Sequence, residues 1–306
     1  MAILTTFDLS KKYKDQYAVK DVNMHIEKGD IYGFVGENGA GKTTVIRMLA
    51  GLAAPTSGYF TLLDKDSRSS EIRTARNRLS AVVESVSLTR SMTALENLRL
   101  QAILTGSRKT DAELNELISF VGLSVKDLQN RKVKNFSLGM RQRLGIALVM
   151  VQDPEIILLD EPMNGLDPQG IIQMREIIRL LQQRGVTVLI SSHILSELNL
   201  ICTKIGMISH GELVEELTME ELRQRGARRA VIASDRAEEL QKALVSALSL
   251  RNTQFSGREL TVYDEVDLNA LLGAVAAAGV PVTAFRTMEE SVEDYYIQKI
   301  RGGKVQ

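Results

Sequence analysis

Gly36-Glu37-Asn38-Gly39-Ala40-Gly41-Lys42-Thr43 satisfies the spacing G-x-x-x-x-G-K-[ST] at every fixed position. Upstream, Ile31-Tyr32-Gly33-Phe34-Val35 reads as a short buried strand; downstream, Thr44 to Ala50 reads as a helix ending at Gly51, with Pro55 beyond it. A strand that feeds a glycine-rich loop opening a helix is the setting in which this pattern binds nucleotide phosphates. The glycines let backbone N–H groups turn inward as an anion nest, the helix N-terminus adds partial positive charge, and Lys42 reaches the terminal phosphates as a point charge. Thr43 offers a hydroxyl to Mg²⁺, and Glu37, Asn38, Ala40 and Thr44 complete the phosphate-binding stretch. A chance glycine-rich turn ahead of a helix is the alternative, and each further motif weakens it.

A chain of 306 residues suits one large and one small domain. Lys+Arg and Asp+Glu both number 38, a balance that argues against nucleic acid as a partner while leaving room for a local basic patch. Cys202 stands alone, which fits a reducing compartment and a small buried apolar role. No segment approaches the roughly 18–20 consecutive apolar residues that cross a bilayer. Residues Met1 to Asp8 lack a basic region followed by a long apolar core, so they are not read as a secretory signal. Any membrane span is expected to come from a partner.

Ile156-Ile157-Leu158-Leu159-Asp160-Glu161-Pro162 is an apolar run that ends in two carboxylates. Such a run suits a strand covered on both faces of a parallel sheet, and its C-terminal end is where α/β folds place their ligands. Asp160 would hold Mg²⁺ through water and Glu161 would polarise an attacking water; a solvated turn before Pro162 is the other reading, the minor one after a phosphate loop. Val186 to Ile190 reads as another buried strand, followed by Ser191-Ser192-His193. His193 then lies at the same sheet edge, suited to sensing a γ-phosphate, although a histidine after a strand is often structural. His25 and His210 have no such setting.

In order along the chain stand the phosphate loop, Phe136-Ser137-Leu138-Gly139-Met140-Arg141-Gln142-Arg143, then Leu158 to Pro162, Asn164-Gly165-Leu166-Asp167, and His193. This series resembles the ATP-binding cassette (ABC) ATPases. The resemblance implies an α/β P-loop NTPase with a RecA-like core, an antiparallel β subdomain and a helical signature subdomain over about residues 86–150, within a cassette spanning 1–215. It implies ATP and Mg²⁺ as ligands, a homodimer of cassettes, and a separately encoded transmembrane permease that brings the chain to the cytoplasmic face of the membrane. Ser137 and Gly139 match the signature motif that caps the γ-phosphate of ATP held by the other subunit, while Leu138 and Met140 depart from the usual Leu-Ser-Gly-Gly-Gln. Independently, Ser137 precedes helical spacing at Leu138, Arg141, Leu144 and Leu148, so it would sit at a helix N-terminus; capping alone explains the serine but not Gly139.

By the same resemblance Tyr13, ahead of Tyr17, stacks on adenine, and Asp167 communicates between the two ATP sites; a turn aspartate before Pro168 is the plain alternative. At Ala81-Val82-Val83-Glu84-Ser85 the family normally carries glutamine, and Glu84 replaces it, a carboxylate that can still ligate Mg²⁺. Glu84 followed by Met92 to Leu98 is similar to bacterial cassettes that export lantibiotics and bacitracin-like peptides. Thr93 and Glu96 spell a capping box for the helix there. A soluble cassette ATPase that remodels nucleic acid or ribosomes is the alternative class, but such proteins usually show two cassettes, a long coiled-coil insertion or zinc-spaced cysteines.

Beyond Gly211 the resemblance fades. Residues 216–228 are expected to be a linker, with a Thr218–Glu221 capping box opening a short helix, and Arg223, Arg225, Arg228 and Arg229 cluster at its end; a solvated run explains them more simply than anionic lipid. Residues 229–306 read as βαββαβ plus a terminal helix from Glu289 to Ile300, a small ferredoxin-like accessory domain. Asp235 with Glu238 is expected to start its first helix, and Ser256-Gly257 to turn between its paired strands. No catalytic constellation appears there.

Overall fold

The computed structural model describes residues 1–225, 228–264 and 266–289, excluding the side chains of 223–229 and 288–289. The side chains of the arginine cluster and the expected terminal helix from residue 290 onward lie outside the described residues. In chain order the larger unit holds β1 (Ala2–Tyr13), β2 (Gln16–Val22), β3 (His25–Glu27), β4 (Ile31–Val35), α1 (Lys42–Leu49), β5 (Ser57–Leu62), β6 (Lys65–Asp66), α2 (Ile72–Arg76) and β7 (Leu79–Val82). It continues through α3 (Ala94–Thr105), α4 (Asp111–Phe120), α5 (Val125–Leu128), α6 (Leu138–Val149), β8 (Ile156–Asp160), α7 (Pro168–Gln183), β9 (Thr187–Ser192), α8 (Leu195–Asn199), β10 (Lys204–Ser209) and β11 (Glu212–Thr218).

Two sheets organise this unit. One runs β11-β10-β4-β9-β8-β7, parallel throughout except for the antiparallel β11. Every residue of β4, β8 and β9 is buried, the burial that a strand covered on both faces requires and the reason these segments are spelled with apolar runs. The other sheet, β2-β1-β5-β6 with β3 paired to β1, is antiparallel. Leu4, Phe60 and Leu62 of this sheet share one core with Phe34 and Leu158 of the parallel sheet and with Ile46 and Leu49 of α1, which anchors the helix behind the phosphate loop.

Between β7 and β8 lie the helices α3 to α6. Thr93 caps α3 in a complete capping box with Glu96, whose carboxyl is held below the usual carboxylate range by the Thr93 N–H and by Lys132. Asp167 caps α7, with Pro168 in its first turn. Cys202 is buried, and burial pushes its thiol far above the ordinary range, in keeping with a packing role. Among the described residues no helix is long and apolar enough to cross a membrane.

The chain divides into two compact units, 1–219 and 220–306. Where a linker over 216–228 is expected, β11 continues through Thr218 and α9 (Met219–Arg225) follows at once, because Glu216, Leu217 and Thr218 pair with Gly206, Ile205 and Lys204 of β10. The smaller unit holds β12 (Arg228–Ala233), α10 (Ala237–Leu248), β13 (Thr253–Ser256), β14 (Glu259–Val262), α11 (Leu268–Ala277) and β15 (Ala284–Glu289). Its sheet runs β13-β14-β12-β15 with every pair antiparallel, the topology of a split βαβ unit. Asp235 does not cap α10: it pairs with Arg258 at 3.1 Å, and the Ser234 hydroxyl accepts the Arg236 N–H instead.

Candidate active site

The phosphate loop leaves β4 at Val35, and the Gly36 N–H donates to the Ser192 carbonyl at 3.3 Å, tying the loop to the end of β9. Two glycines are required by space. A Cβ at Gly36 would stand 2.5 Å from the Ile208 carbonyl oxygen, and Gly41, at φ +109°, would place one 2.6 Å from that of Ala18. The loop tip, Glu37 to Gly39, is exposed, Ala40 is buried, and Thr44 is half-buried. Lys42 is only 5% exposed; its ammonium donates to the carbonyls of Gly36 at 2.6 Å and Glu37 at 3.1 Å and lies 3.2 Å from Glu161 Oε1. Burying a charge costs heavily unless it is paired, and here pairing is complete within the loop and one carboxylate.

The neighbouring strand ends supply the rest. Thr43 donates its hydroxyl to Asp160 Oδ2 at 2.9 Å, and the Ser191 hydroxyl donates to Asp160 Oδ1 at 2.6 Å. Glu161 has φ +50°, and its N–H donates to Ser191 Oγ at 2.9 Å. Its carboxylate lies between two side chains: Oε1 faces Lys42 at 3.2 Å, and Oε2 is 2.8 Å from His193 Nδ1. Lys42, Thr43, Asp160, Glu161 and His193, drawn from distant parts of the sequence, thus form one cluster. Ser191 belongs to it as well, a residue that the sequence placed only between the strand and His193.

Glu84 is engaged by a cation of α1. β7 ends at Val82, and Glu84, in the left-handed region at φ +61°, is ion-paired to Arg47 of α1. Thr43 and Asp160 of the expected set are in direct contact, and among the described residues no group of three His, Cys, Asp or Glu is positioned to hold a metal. The oxygen donors of Thr43 and Asp160 suit a hard cation such as Mg²⁺.

Ser137 accepts from the Met140 N–H at 3.2 Å as the N-cap of α6. It opens onto a groove of about 470 Å³ lined by α6 and residues 165–173, including Gly139, Arg143, Gly165 and Asp167, with no residue of the Lys42 cluster in its walls. A Cβ at Gly139 would meet nothing closer than Leu166 Cδ2 at 3.7 Å, so nothing within the chain demands glycine there. Asp167 accepts from the Gly170 N–H at 2.9 Å, a plain capping role. Tyr13 and Tyr17 flank the β1–β2 turn, both about half exposed, each with a lysine ammonium (Lys11 and Lys12) over its ring at 5.1 and 5.4 Å. An exposed ring of this kind can take a base on its open face.

A family model described as "ABC transporter" matches residues 19–164. The bacitracin transport ATP-binding protein of Bacillus licheniformis is 37% identical over 313 residues, covering 99% of both chains. The chain belongs to the ABC transporter ATP-binding proteins. It is accordingly an ATPase subunit. The lantibiotic transport ATP-binding protein of Streptococcus pyogenes is 37% identical over 209 residues, 68% of this ABC protein and 88% of its own length. Among solved structures, a dimeric post-hydrolysis cassette bound to ADP and Pi superposes with a TM-score of 0.63 at 25% identity, covering 71% of this ABC protein and 98% of that chain.

Proposed function

We propose that two copies of the chain meet head to tail, so that each ATP lies between the phosphate loop of one and Ser137 of the other, and that the pair drives a separately encoded permease exporting a peptide antibiotic or a similar amphipathic compound from the cytoplasmic face of the membrane. The single observation that supports the substrate class is the extent of the match: the likeness to a bacitracin transport protein runs through 99% of both chains, smaller unit included, whereas the lantibiotic relative aligns over 68% of this chain. Head-to-tail pairing accounts for Ser137 and Gly139 facing an open groove apart from the Lys42 cluster.

In the hydrolytic step Lys42 neutralises charge on the terminal phosphates, moving from the Gly36 and Glu37 carbonyls onto phosphate oxygens. Glu161 orients water and accepts its proton, and His193 lies beside the γ-phosphate. Tyr13 stacks on adenine, and Ser137 and the Gly139 N–H of the other copy complete the cage, so catalysis is positioning and electrostatics. Thr43 and Asp160 would hold Mg²⁺, which supplies positive charge beside the β- and γ-phosphates.

The test is to tag the Glu161→Gln variant, solubilise cells gently with ATP and Mg²⁺, and identify what co-purifies. A polytopic membrane protein is expected, and cells lacking the pair should become sensitive to peptide antibiotics. Ribosomal or nucleic-acid partners with no membrane subunit would overturn the transporter reading.

A further inference from the structure

Ser191 is fully buried near the end of β9, paired in register with Asp160 of β8. Its one oxygen serves two consecutive residues in opposite senses, donating to Asp160 Oδ1 at 2.6 Å and accepting from the Glu161 N–H at 2.9 Å. A serine hydroxyl has one proton to give and lone pairs to receive, so both bonds form together.

The second of these bonds bears on the geometry of catalysis. Glu161 is in the left-handed region, which a non-glycine residue keeps only where its surroundings hold it. Asp160 would keep the Thr43 hydroxyl if Ser191 lost its oxygen, but the Glu161 N–H would lose the partner the structure gives it. Strand alternation directs the next residue, Ser192, to the opposite side, where its hydroxyl accepts the Ile194 N–H at 2.9 Å. The two serines are therefore not interchangeable.

We propose that Ser191 is a positioning residue for ATP hydrolysis: it fixes the Asp160–Glu161 peptide so that the Glu161 carboxylate points between Lys42 and His193, without itself touching the nucleotide. This rests on Glu161 being the carboxylate that orients water.

Full-length Ser191→Ala, Ser191→Thr and Glu161→Gln are compared with the parent for steady-state kcat and KM, binding of a fluorescent ATP analogue, and melting temperature. Ser191→Ala is expected to lower kcat by about tenfold or more, as a small misplacement of a reacting group does, while KM and analogue binding stay within roughly twofold. Ser191→Thr, which restores the hydroxyl, should recover most of the rate. If Ser191→Ala keeps the parental kcat while Glu161→Gln is inactive, the positioning role is wrong and the assignment of Glu161 survives. Should kcat and analogue binding fall together with the melting temperature, the role is only structural and the proposal is equally overturned. Normal turnover by Glu161→Gln would remove the assignment on which both stand.

Discussion

Lys42 illustrates how one side chain couples stability to chemistry. Its ammonium is buried against two carbonyls and one carboxylate, so a charge has been taken from water in advance of substrate. Replacing Lys42 by Ala should weaken ATP binding by at least tenfold to a hundredfold, the worth of roughly one charge-assisted hydrogen bond, read by titrating a fluorescent ATP analogue; parental affinity would contradict the arrangement. The Arg47–Glu84 pair behaves differently, because both partners are well exposed. Arg47→Ala should change unfolding stability by less than about 1 kcal/mol in urea, and a larger loss would mean that Glu84 anchors more than its own loop. Lys42, Thr43, Asp160, Glu161 and His193 were legible in the sequence because spacing ties each to the end of a buried strand. Glu84 was legible as a residue type but not in its placement, since a positive φ two residues beyond a strand leaves no mark in composition. Ser191 was missed for a related reason: a serine after an apolar run carries no sign of its partner, and only the parallel register sets it opposite Asp160.

At the level of elements, buried strands and capped helices were the readable part. The strand expected over Val186 to Ile190 is found at Thr187–Ser192, longer at its C-terminal end because Ser191 and Ser192 pair with β4 and Ser191 with β8 as well. The capping box at Thr93 forms as spelled, whereas Asp235, equally suggestive, is taken by Arg258. Arg258 takes the Asp235 carboxylate itself, whereas Lys132 reaches Glu96 and leaves the Thr93 hydroxyl on the Glu96 N–H. The α6 N-terminus offers a sharper test. Gly139 has room for a Cβ, and a glycine in a helix is worth roughly 0.5–1 kcal/mol less than alanine, so Gly139→Ala should leave the melting temperature unchanged or raise it. If the groove receives the γ-phosphate of a second copy, the same variant should lose ATP-dependent dimerisation in analytical ultracentrifugation with Glu161→Gln as the background. Unimpaired dimers would assign Ser137 and Gly139 to the helix alone.

At the scale of the molecule, two apolar clusters among the described residues matter more than any single motif. One is built on Phe34, Phe60, Leu158 and their neighbours, the other on Ile232, Leu240, Leu244 and Leu260, and the division falls after Met219. The order βαββαβ was legible from alternating strand and helix patterns bounded by turn residues such as Gly257, but a purpose for this unit was not, because a fold of this kind hosts many roles and no catalytic cluster stands among its described residues to fix one. Its thermodynamics can still be anticipated. A chain of two compact units departs from two-state unfolding, so calorimetry of the full chain should resolve two transitions. Every residue assigned to ATP lies in the first unit, and a ligand stabilises only what it binds. A non-hydrolysable ATP analogue at about a hundred times its dissociation constant should therefore raise one transition by roughly 5–10 °C and leave the other in place. A single transition that moves as a whole would instead mean that the smaller unit unfolds with the cassette and responds to nucleotide, and its function would then have to be sought in the ATPase cycle itself.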